Sequence, residues 1–357
     1  MIEFLNKKSI EEFEAFNSTH KYGHFMQSAQ WGEIKSDWSR RVLVARDESG
    51  VIKGGLSVLI RKVPILPFTL FYGNRGPVAD PTDVQTLKEL HDGLKSLAKH
   101  EHAYMFMAEP ALEDNKSDVC KSYQDAGFRF SKQTRGATAI QPSSVYRLTL
   151  TGKTQDEIMA GLHRKHRYAL KQAMKLGVEI KHTGKEGLGE FMRIMHVTGD
   201  RQGISVRPRS YYEHVLDTMG EKARIYFAYY NDTAIACAMN IWYGNKMWYL
   251  YAGSDNLHRE VQPNYLLQWK MICWAMEIGL DIYDFGGVAV GDVVLEGLNH
   301  FKKNFGGDLC EFIGTVEVVY KPFIKWIYEL TMSAKYNLSH FLRSKHSNKN
   351  KNKQVTD

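Results

Sequence analysis

One order of secondary-structure signals occurs twice along this chain, and that repetition restricts the fold more than any single motif does. After Arg41 the pattern predicts an apolar strand (Val42 to Ala45), a turn at Asp47-Glu48-Ser49-Gly50 and a second strand through Leu56 to Ile60. A third strand, Phe68 to Tyr72, leads into the polar corner Gly73-Asn74-Arg75-Gly76. A helix from Val84 and a strand from Tyr104 to Met107 follow. From Arg224 the series returns: strand Ile225 to Tyr229, turn Asn231-Asp232, strand Ile235 to Trp242 and strand Met247 to Tyr251. The corner Ala252-Gly253-Ser254-Asp255, a helix from Gln262 and a strand Ile282 to Phe285 complete it. Two such units predict a duplicated α/β fold with a cleft between the copies.

Helical spacing fills in the frame. A helix is predicted from Ser9, and another from Val84 to Lys99 with Val84, Leu87, Leu90, Leu94 and Leu97 on one stripe. A loop spans Gly136 to Ser144, and the boundary between units falls at Val145-Tyr146-Arg147-Leu148. Thr154 to Leu176 reads as one long helix closed by Gly177, and Lys185 to Arg201 as a helix ending near Gly203. Leu266, Trp269, Ile272, Cys273 and Met276 share a face of the later helix. Val316 to Tyr320 is predicted to return as a strand to the first unit. Pro322 to Arg343 forms an amphipathic helix with Phe323, Ile327, Leu330, Ala334, Leu338 and Phe341 on one side. The segment 344–357 is expected to be a basic, disordered tail.

At 357 residues the chain can bury two ordinary cores. No apolar run approaches the roughly 18 residues that span a bilayer, and Met1-Ile2-Glu3-Phe4 lacks the basic-then-apolar pattern of a signal peptide. The four cysteines form no Cys-x-x-Cys, so reduced thiols and a cytoplasmic location are expected. The net charge is +7, but from Arg343 onward five Lys/Arg stand against one Asp, leaving the body only mildly basic. Any nucleic-acid contact must therefore come from local clusters.

Four constellations could carry chemistry. Between Ile158 and Val178 there is no acidic residue, while Arg164, Lys165, Arg167, Lys171 and Lys175 recur. Positions 164, 167, 171 and 175 share a helix face suited to phosphate oxygens; a solvated surface face is the competing account. In Gly203-Ile204-Ser205-Val206-Arg207-Pro208-Arg209-Ser210-Tyr211, the proline holds Arg207 extended, and Tyr211 follows at a helix start. Arg offers a planar fork to carboxylate or phosphate and Tyr a directional hydroxyl, although both could serve only packing. At the strand end, alternation puts Trp248 and Leu250 on one face, Tyr249 and Tyr251 on the other. Lys302, between aromatic residues in Phe301-Lys302-Lys303-Asn304-Phe305-Gly306, could offer a cation to a developing oxyanion, or be an ordinary exposed lysine. No phosphate-binding P-loop, no Gly-x-Ser-x-Gly elbow and no metal-ligand spacing is present. Asp281 and Asp284, flanking a strand, read as structural.

The ordered set resembles the Fem family of aminoacyl-tRNA-dependent peptidyltransferases, which attach amino acids to peptidoglycan precursors. The matching stretches are Gln27-Ser28-x-x-Trp31-Gly32-x-x-Lys35, Lys175-Leu176-Gly177-Val178-Glu179, Gly203-Ile204-x-x-Arg207-Pro208-x-x-Tyr211, Trp248-Tyr249-x-Tyr251-Ala252-Gly253-Ser254, Tyr283-Asp284-x-Gly286-Gly287 and Phe301-Lys302-x-x-Phe305. The resemblance implies an α/β fold of two tandem N-acetyltransferase-like (GNAT) domains with a cleft, plus the C-terminal amphipathic helix. The domains would span 1–147, completed by 316–343, and 148–315. The chain looks like the compact kind, without the long helical arm of some members.

By the same resemblance, Lys35, Arg207, Tyr211 and Tyr251 would contact the acceptor, a peptidoglycan precursor bound in a cleft of the first domain. Lys302 would stabilise transfer, with Phe301 beside the aminoacyl group. Arg164, Lys165, Arg167, Lys171 and Lys175 would lie near the aminoacyl-tRNA. The implied reaction uses aminoacyl-tRNA as co-substrate and needs no further cofactor or metal. A monomer is expected, with the C-terminal helix and tail resting on the inner face of the cell membrane or packing on the first domain. Two other classes compete: a CoA-dependent acyltransferase on the same fold, and a non-catalytic RNA-binding protein. The first needs an Arg/Gln-x-x-Gly-x-Gly/Ala loop for the pyrophosphate; neither the corner after Tyr72 nor the one after Tyr251 provides it.

Overall fold

The computed structural model describes residues 2–6, 9–113, 117–131, 140–288 and 296–331. The first unit runs β1 (Ile2–Phe4), α1 (Ile10–Thr19), α2 (Ala29–Ile34), β2 (Ser39–Arg46), β3 (Ile52–Lys62), β4 (Thr69–Tyr72), β5 (Val78–Ala79), α3 (Val84–His100), β6 (Ala103–Ala108), α4 (Ser117–Asp125) and β7 (Arg129–Phe130). The second runs β8 (Ser144–Thr149), α5 (Gln155–Gly161), α6 (Arg164–Lys175), β9 (Glu179–Thr183), α7 (Leu188–Gln202), α8 (Arg209–Met219), β10 (Ala223–Tyr230), β11 (Thr233–Tyr243), β12 (Lys246–Ser254), α9 (Pro263–Glu277), β13 (Ile282–Val288), α10 (Glu296–Lys303) and β14 (Asp308–Glu311). β15 (Val316–Val319) and a helix over residues 322–331, α11, follow.

The duplication is realised strand for strand. β2, β3 and β4 pair antiparallel in succession, and α3 crosses over to bring β6 parallel to β4. β10, β11 and β12 repeat this, with α9 as the crossover that sets β13 parallel to β12. Beyond each parallel strand an antiparallel one is added from a distant part of the chain: β15 on β6, and β8 on β13. The sheet orders are β1-β2-β3-β4-β6-β15-β7, with β5 on β3, and β14-β8-β13-β12-β11-β10-β9. Since β8 begins at Ser144 inside the second sheet, the chain changes sheets ahead of that residue rather than after Arg147. The predicted return of Val316 to the first unit is present.

The two crossover helices differ as their sequences do. α3 buries one stripe, Leu87, Leu90, Leu94 and Leu97, and Asp83 caps it by accepting from the Thr86 amide at 3.0 Å. α9 is buried on nearly every side, from Leu266 through Ala275, because α6 packs on the face that the sheet leaves free. That covering helix is not the single rod expected from Thr154 to Leu176. The chain turns extended at Leu162 and His163 (ψ 145° and 142°), where Leu162 drops into the core and the His163 ring caps α6 by accepting from the Lys165 amide. The gain from burying Leu162 outweighs helical continuity after Gly161. Of the predicted helix from Pro322, the part after residue 331 and the tail lie outside the described residues.

The two sheets are bolted together by the segment before and within α2. Phe25, Trp31 and Ile34, from the first unit, belong to the core formed by α7, α8 and β10–β12 of the second. The Phe25 ring lies 4.8 Å from Trp248. Buried Asn17 donates to Tyr243 Oη (2.9 Å) and the His24 carbonyl (3.2 Å), and accepts from the His24 amide. Buried Lys246 donates to the carbonyls of Lys21 and Gly23. At Gly244 (φ +55°) a Cβ would stand 2.3 Å from the Ser18 carbonyl oxygen, so the β11–β12 turn fits against α1 only without a side chain. Asn17→Ala strands polar groups on both sides of this join. It is expected to lower the unfolding free energy by about 1–3 kcal/mol in denaturant titration.

Candidate functional site

Two cavities lie along the join, and both are lined by Met26, Gln141 and Leu250. The smaller, about 460 Å³, takes Lys35, Trp38, Leu59 and Arg61 from the first unit and Arg207, Tyr211 and Tyr251 from the second. It therefore sits between the units rather than within the first. Lys35 is placed at the C-cap of α2, the helix held in the second unit's core. Its ammonium lies 4.5 Å from the Trp31 ring and 3.5 Å from Tyr211 Oη. Arg207 stacks over Tyr211 at 4.6 Å, held extended by Pro208 at the start of α8. Tyr211 and Tyr251 share a hydrogen bond of 2.8 Å.

Tyr251 reaches this cavity because β12 does not alternate regularly. Met239 pairs with Tyr251 but Asn240 pairs with Tyr249, so Leu250 is an extra residue, a β-bulge. The bulge turns Tyr251 to the face of Trp248, toward α7 and α8, while Tyr249 packs toward α9. The expected common face of Tyr249 and Tyr251 is thus overturned. Leu250 itself is left at the wall shared by both cavities.

Burial pushes the Lys35 ammonium down to about 8, with Arg207 adding to the effect and Asp37 opposing it. Burial also raises both tyrosines, Tyr251 well above the usual phenol range, so their hydroxyls remain protonated. Among the described residues the chamber presents three cations and three phenols, Tyr72, Tyr211 and Tyr251, against one carboxylate, Asp37, with the Tyr72 hydroxyl already donating to Glu109. That donor set suits a multiply charged anion such as a diphosphate.

The larger cavity, about 730 Å³, holds Phe301 and Lys302 from α10 together with Arg75, Arg147, Arg201, Arg259 and Asp284. Lys302 is buried and donates to the Gly287 carbonyl at 2.6 Å. Burial brings its pKa down to about 8 against the pull of Asp284. Asp284 is engaged elsewhere, accepting from Arg147 Nε (3.0 Å) and the Gly286 amide (2.8 Å). Arg75 and Arg147 both lie over the Phe312 ring, at 4.5 and 5.1 Å. Arg75 donates one nitrogen to the Pro142 carbonyl, and its buried Nη1 has no partner among the described residues. An unpaired buried donor in a cationic chamber marks a place for an anionic or carbonyl oxygen.

The structure divides the expected site residues. Lys35, Arg207, Tyr211 and Tyr251 share one cavity, Phe301 and Lys302 the other, and the common wall joins them. The basic residues of α6 line neither. Arg164, Lys165, Lys171 and Lys175 are exposed, but Arg167 folds back to the carbonyls of Ala160 and Leu162 and staples the α5–α6 corner. α6 is linked to the site through His166. A carbonyl only accepts, so His166 Nε2 donates to the Phe301 carbonyl at 3.0 Å, and burial lowers the imidazole pKa, in keeping with a neutral ring. Arg75, Arg147, Arg201 and Arg259 were missed. Arg75 alone had a signal, a charge in the Gly-bounded corner, where it takes a left-handed φ of 58°. Among the described residues no group of His, Cys, Asp or Glu is arranged to hold a metal.

Two sheets of this order, each with a crossover helix and a cavity at their join, define a tandem N-acetyltransferase-like protein. A tandem GNAT protein of clavulanic acid biosynthesis has this fold at TM-score 0.53 and 10% identity, over 89% of this chain and 98% of its own. The loop between β12 and α9, residues 255–262, contains no glycine and enters α9 at Pro263, which lacks an amide hydrogen. It offers no close backbone cradle for a pyrophosphate. A sequence model of the FemAB family matches residues 9–233 and 230–335, and the chain belongs to that family.

A crystal structure of FemX superposes at TM-score 0.83, with 26% identity, covering 92% of this chain and 99% of that one. Lipid II:glycine glycyltransferases of Staphylococcus haemolyticus (strain JCSC1435) and Staphylococcus aureus (strain USA300) are each 28% identical over 87% of this chain and 91% of their own length. These alignments run to 384 and 386 positions, more than the 357 residues here, so the relatives carry insertions that this chain lacks. The longest helix among the described residues is α3, at 17.

Arg147→Met removes the cation that compensates buried Asp284. It is expected to cost about 3 kcal/mol of stability, measured by urea unfolding.

Proposed function

We propose that this protein transfers an amino acid from aminoacyl-tRNA to an amine of the stem peptide of a lipid-linked peptidoglycan precursor. The observation that carries this is the pair of cationic cavities that meet at Met26, Gln141 and Leu250. One has a diphosphate-type donor set and the other a buried lysine beside an aromatic ring. Names of relatives supply the acceptor class, lipid II, and make glycine the first donor to test. The glycine-free loop after β12 favours an RNA ester over a CoA thioester. The exposed cations of α6, tied to α10 through His166, offer a phosphate-binding flank beside the larger cavity.

In this reading Lys35, Arg61 and Arg207 hold the acceptor's diphosphate in the smaller cavity, with Tyr211 and Tyr251 as additional donors. A primary amine, the side chain of the third peptide residue, passes the shared wall and attacks the ester carbonyl seated against Phe301. An N–C bond forms, the C–O bond to the ribose breaks, and the leaving oxygen takes up a proton. Lys302 donates to the oxyanion and then to the departing ribose oxygen. The proton lost from the attacking amine restores the balance. The ester is already activated, so positioning and charge stabilisation suffice.

Two measurements with purified charged tRNA and a precursor test the assignment. Lys302→Met should lower kcat by about 10²-fold or more with little change in the acceptor KM; an unchanged kcat removes Lys302 from the mechanism. The required ammonium is lost as pH rises through about 8. A side-chain amine ordinarily titrates at about 10, so wild-type kcat should climb with pH and level off above about 8, whereas Lys302→Arg, which stays charged, should go on rising with the free amine. A protein stabilised by CoA but not by charged tRNA would be the acyltransferase instead. One that binds charged and uncharged tRNA alike and yields no product would be an RNA-binding protein.

A further inference from the structure

α11 turns an apolar face outward. Phe323, Trp326 and Leu330, at the i, i+3 and i+7 spacing of one stripe, are 67%, 56% and 51% exposed, and the first two rings stack at 6.0 Å. Its opposite face is satisfied, because Ile324 and Tyr328 pack against a small core that also receives Leu66 and Phe68 from the β3–β4 hairpin. Lys321 lies over the Phe68 ring at 5.5 Å, which sets the hairpin tip beside the start of α11. At that tip, between Pro64 and Pro67, Ile65 is fully exposed (103%) and held at φ 71°, a conformation that β-branched residues rarely adopt. Four large apolar side chains thus stand out from neighbouring elements, beyond what scattered surface residues require.

The charge around this patch is net positive. Lys62, Arg61 and Lys321 are exposed, and none forms an ion pair among the described residues. The nearby carboxylates of Glu317 and Glu329 are both taken up by Lys325. An apolar stripe with aromatic anchors, bordered by unpaired cations, matches the interface of an anionic bilayer. The patch also adjoins the smaller cavity. Trp38, a wall of that cavity, packs on the same small core as Ile324 and Tyr328. Arg61, another wall, precedes Ile65 by four residues, within about 13 Å at roughly 3.3 Å per residue.

We propose that Ile65, Phe323, Trp326 and Leu330 form a docking surface for an anionic membrane, orienting the smaller cavity toward the headgroup layer so that a lipid-linked acceptor enters it from the bilayer. The orientation rests on the acceptor reading of that cavity; vesicle binding is measured without turnover, so the two can fail separately. The test compares the full chain with the Ile65→Ser/Phe323→Ser/Trp326→Ser variant by sedimentation with phosphatidylglycerol and phosphatidylcholine vesicles. Wild type should pellet with phosphatidylglycerol at low salt and be released at high salt. The variant should bind at least about tenfold more weakly. Its transfer to a lipid-linked acceptor in vesicles should fall while transfer to a soluble nucleotide-linked acceptor stays unchanged. Wild type that ignores both vesicles, or a variant that binds as well as wild type, overturns the proposal. So does a wild-type dimer that the variant dissolves, since a second copy would then own this face. Should the triple variant not fold, the difference in quenching by brominated phosphatidylglycerol between wild type and Trp326→Phe decides: a Trp326 signal that the lipid does not quench refutes the docking.

Discussion

The burial of Phe25 and Trp31 from the first unit in the core of the second is the contact on which the site depends. These rings pack with Trp248 on β12, and the backbone that carries them supplies Met26 to both cavities and ends in Lys35. A hinge there would let the two chambers drift apart. The hydrogen bonds of Asn17 and Lys246 and the side-chain-free turn at Gly244 oppose one. The site is accordingly a seam, with walls contributed by both units and a position set by tight packing.

Along that seam the protein keeps several cations away from water. Lys35 and Lys302 each have a pKa drawn down to about 8 by burial. Near neutral pH both remain mostly charged, yet sit where a phosphate or an oxyanion would meet little competing solvent. Asp284, a deeply buried carboxylate in the larger cavity, is committed to Arg147 and the Gly286 amide. It thereby moderates the depression of the Lys302 pKa without neutralising the chamber.

The sequence made the architecture legible because duplication prints the same periodicities twice: the hairpins, the crossover helices and the returning strand at Val316 all follow from alternation and helical spacing. Local decisions set by tertiary burial were not legible. Leu162 breaks a continuous helical pattern because its side chain is wanted in the core. Leu250 bulges out of β12 and reverses the facing of Tyr251, which simple alternation could not foresee. Arg207, Tyr211 and Lys302 stood out by residue type and spacing and Lys35 by resemblance, and all four line one or other of the two cavities. Arg75, Arg147, Arg201 and Arg259 come from four separate stretches and converge only through the fold. In the α6 stripe, spacing alone could not reveal that one member, Arg167, spends its guanidinium on the carbonyls of its own corner.

The most direct test of transfer between the adjoining chambers is mass spectrometry of the precursor after incubation with the protein and charged tRNA. The account expects the mass of an amino acid residue added at the acceptor's side-chain amine, dependent on the charged RNA and with no CoA present. A precursor that stays unmodified with every charged tRNA, or gains an acyl group from acyl-CoA instead, would contradict it.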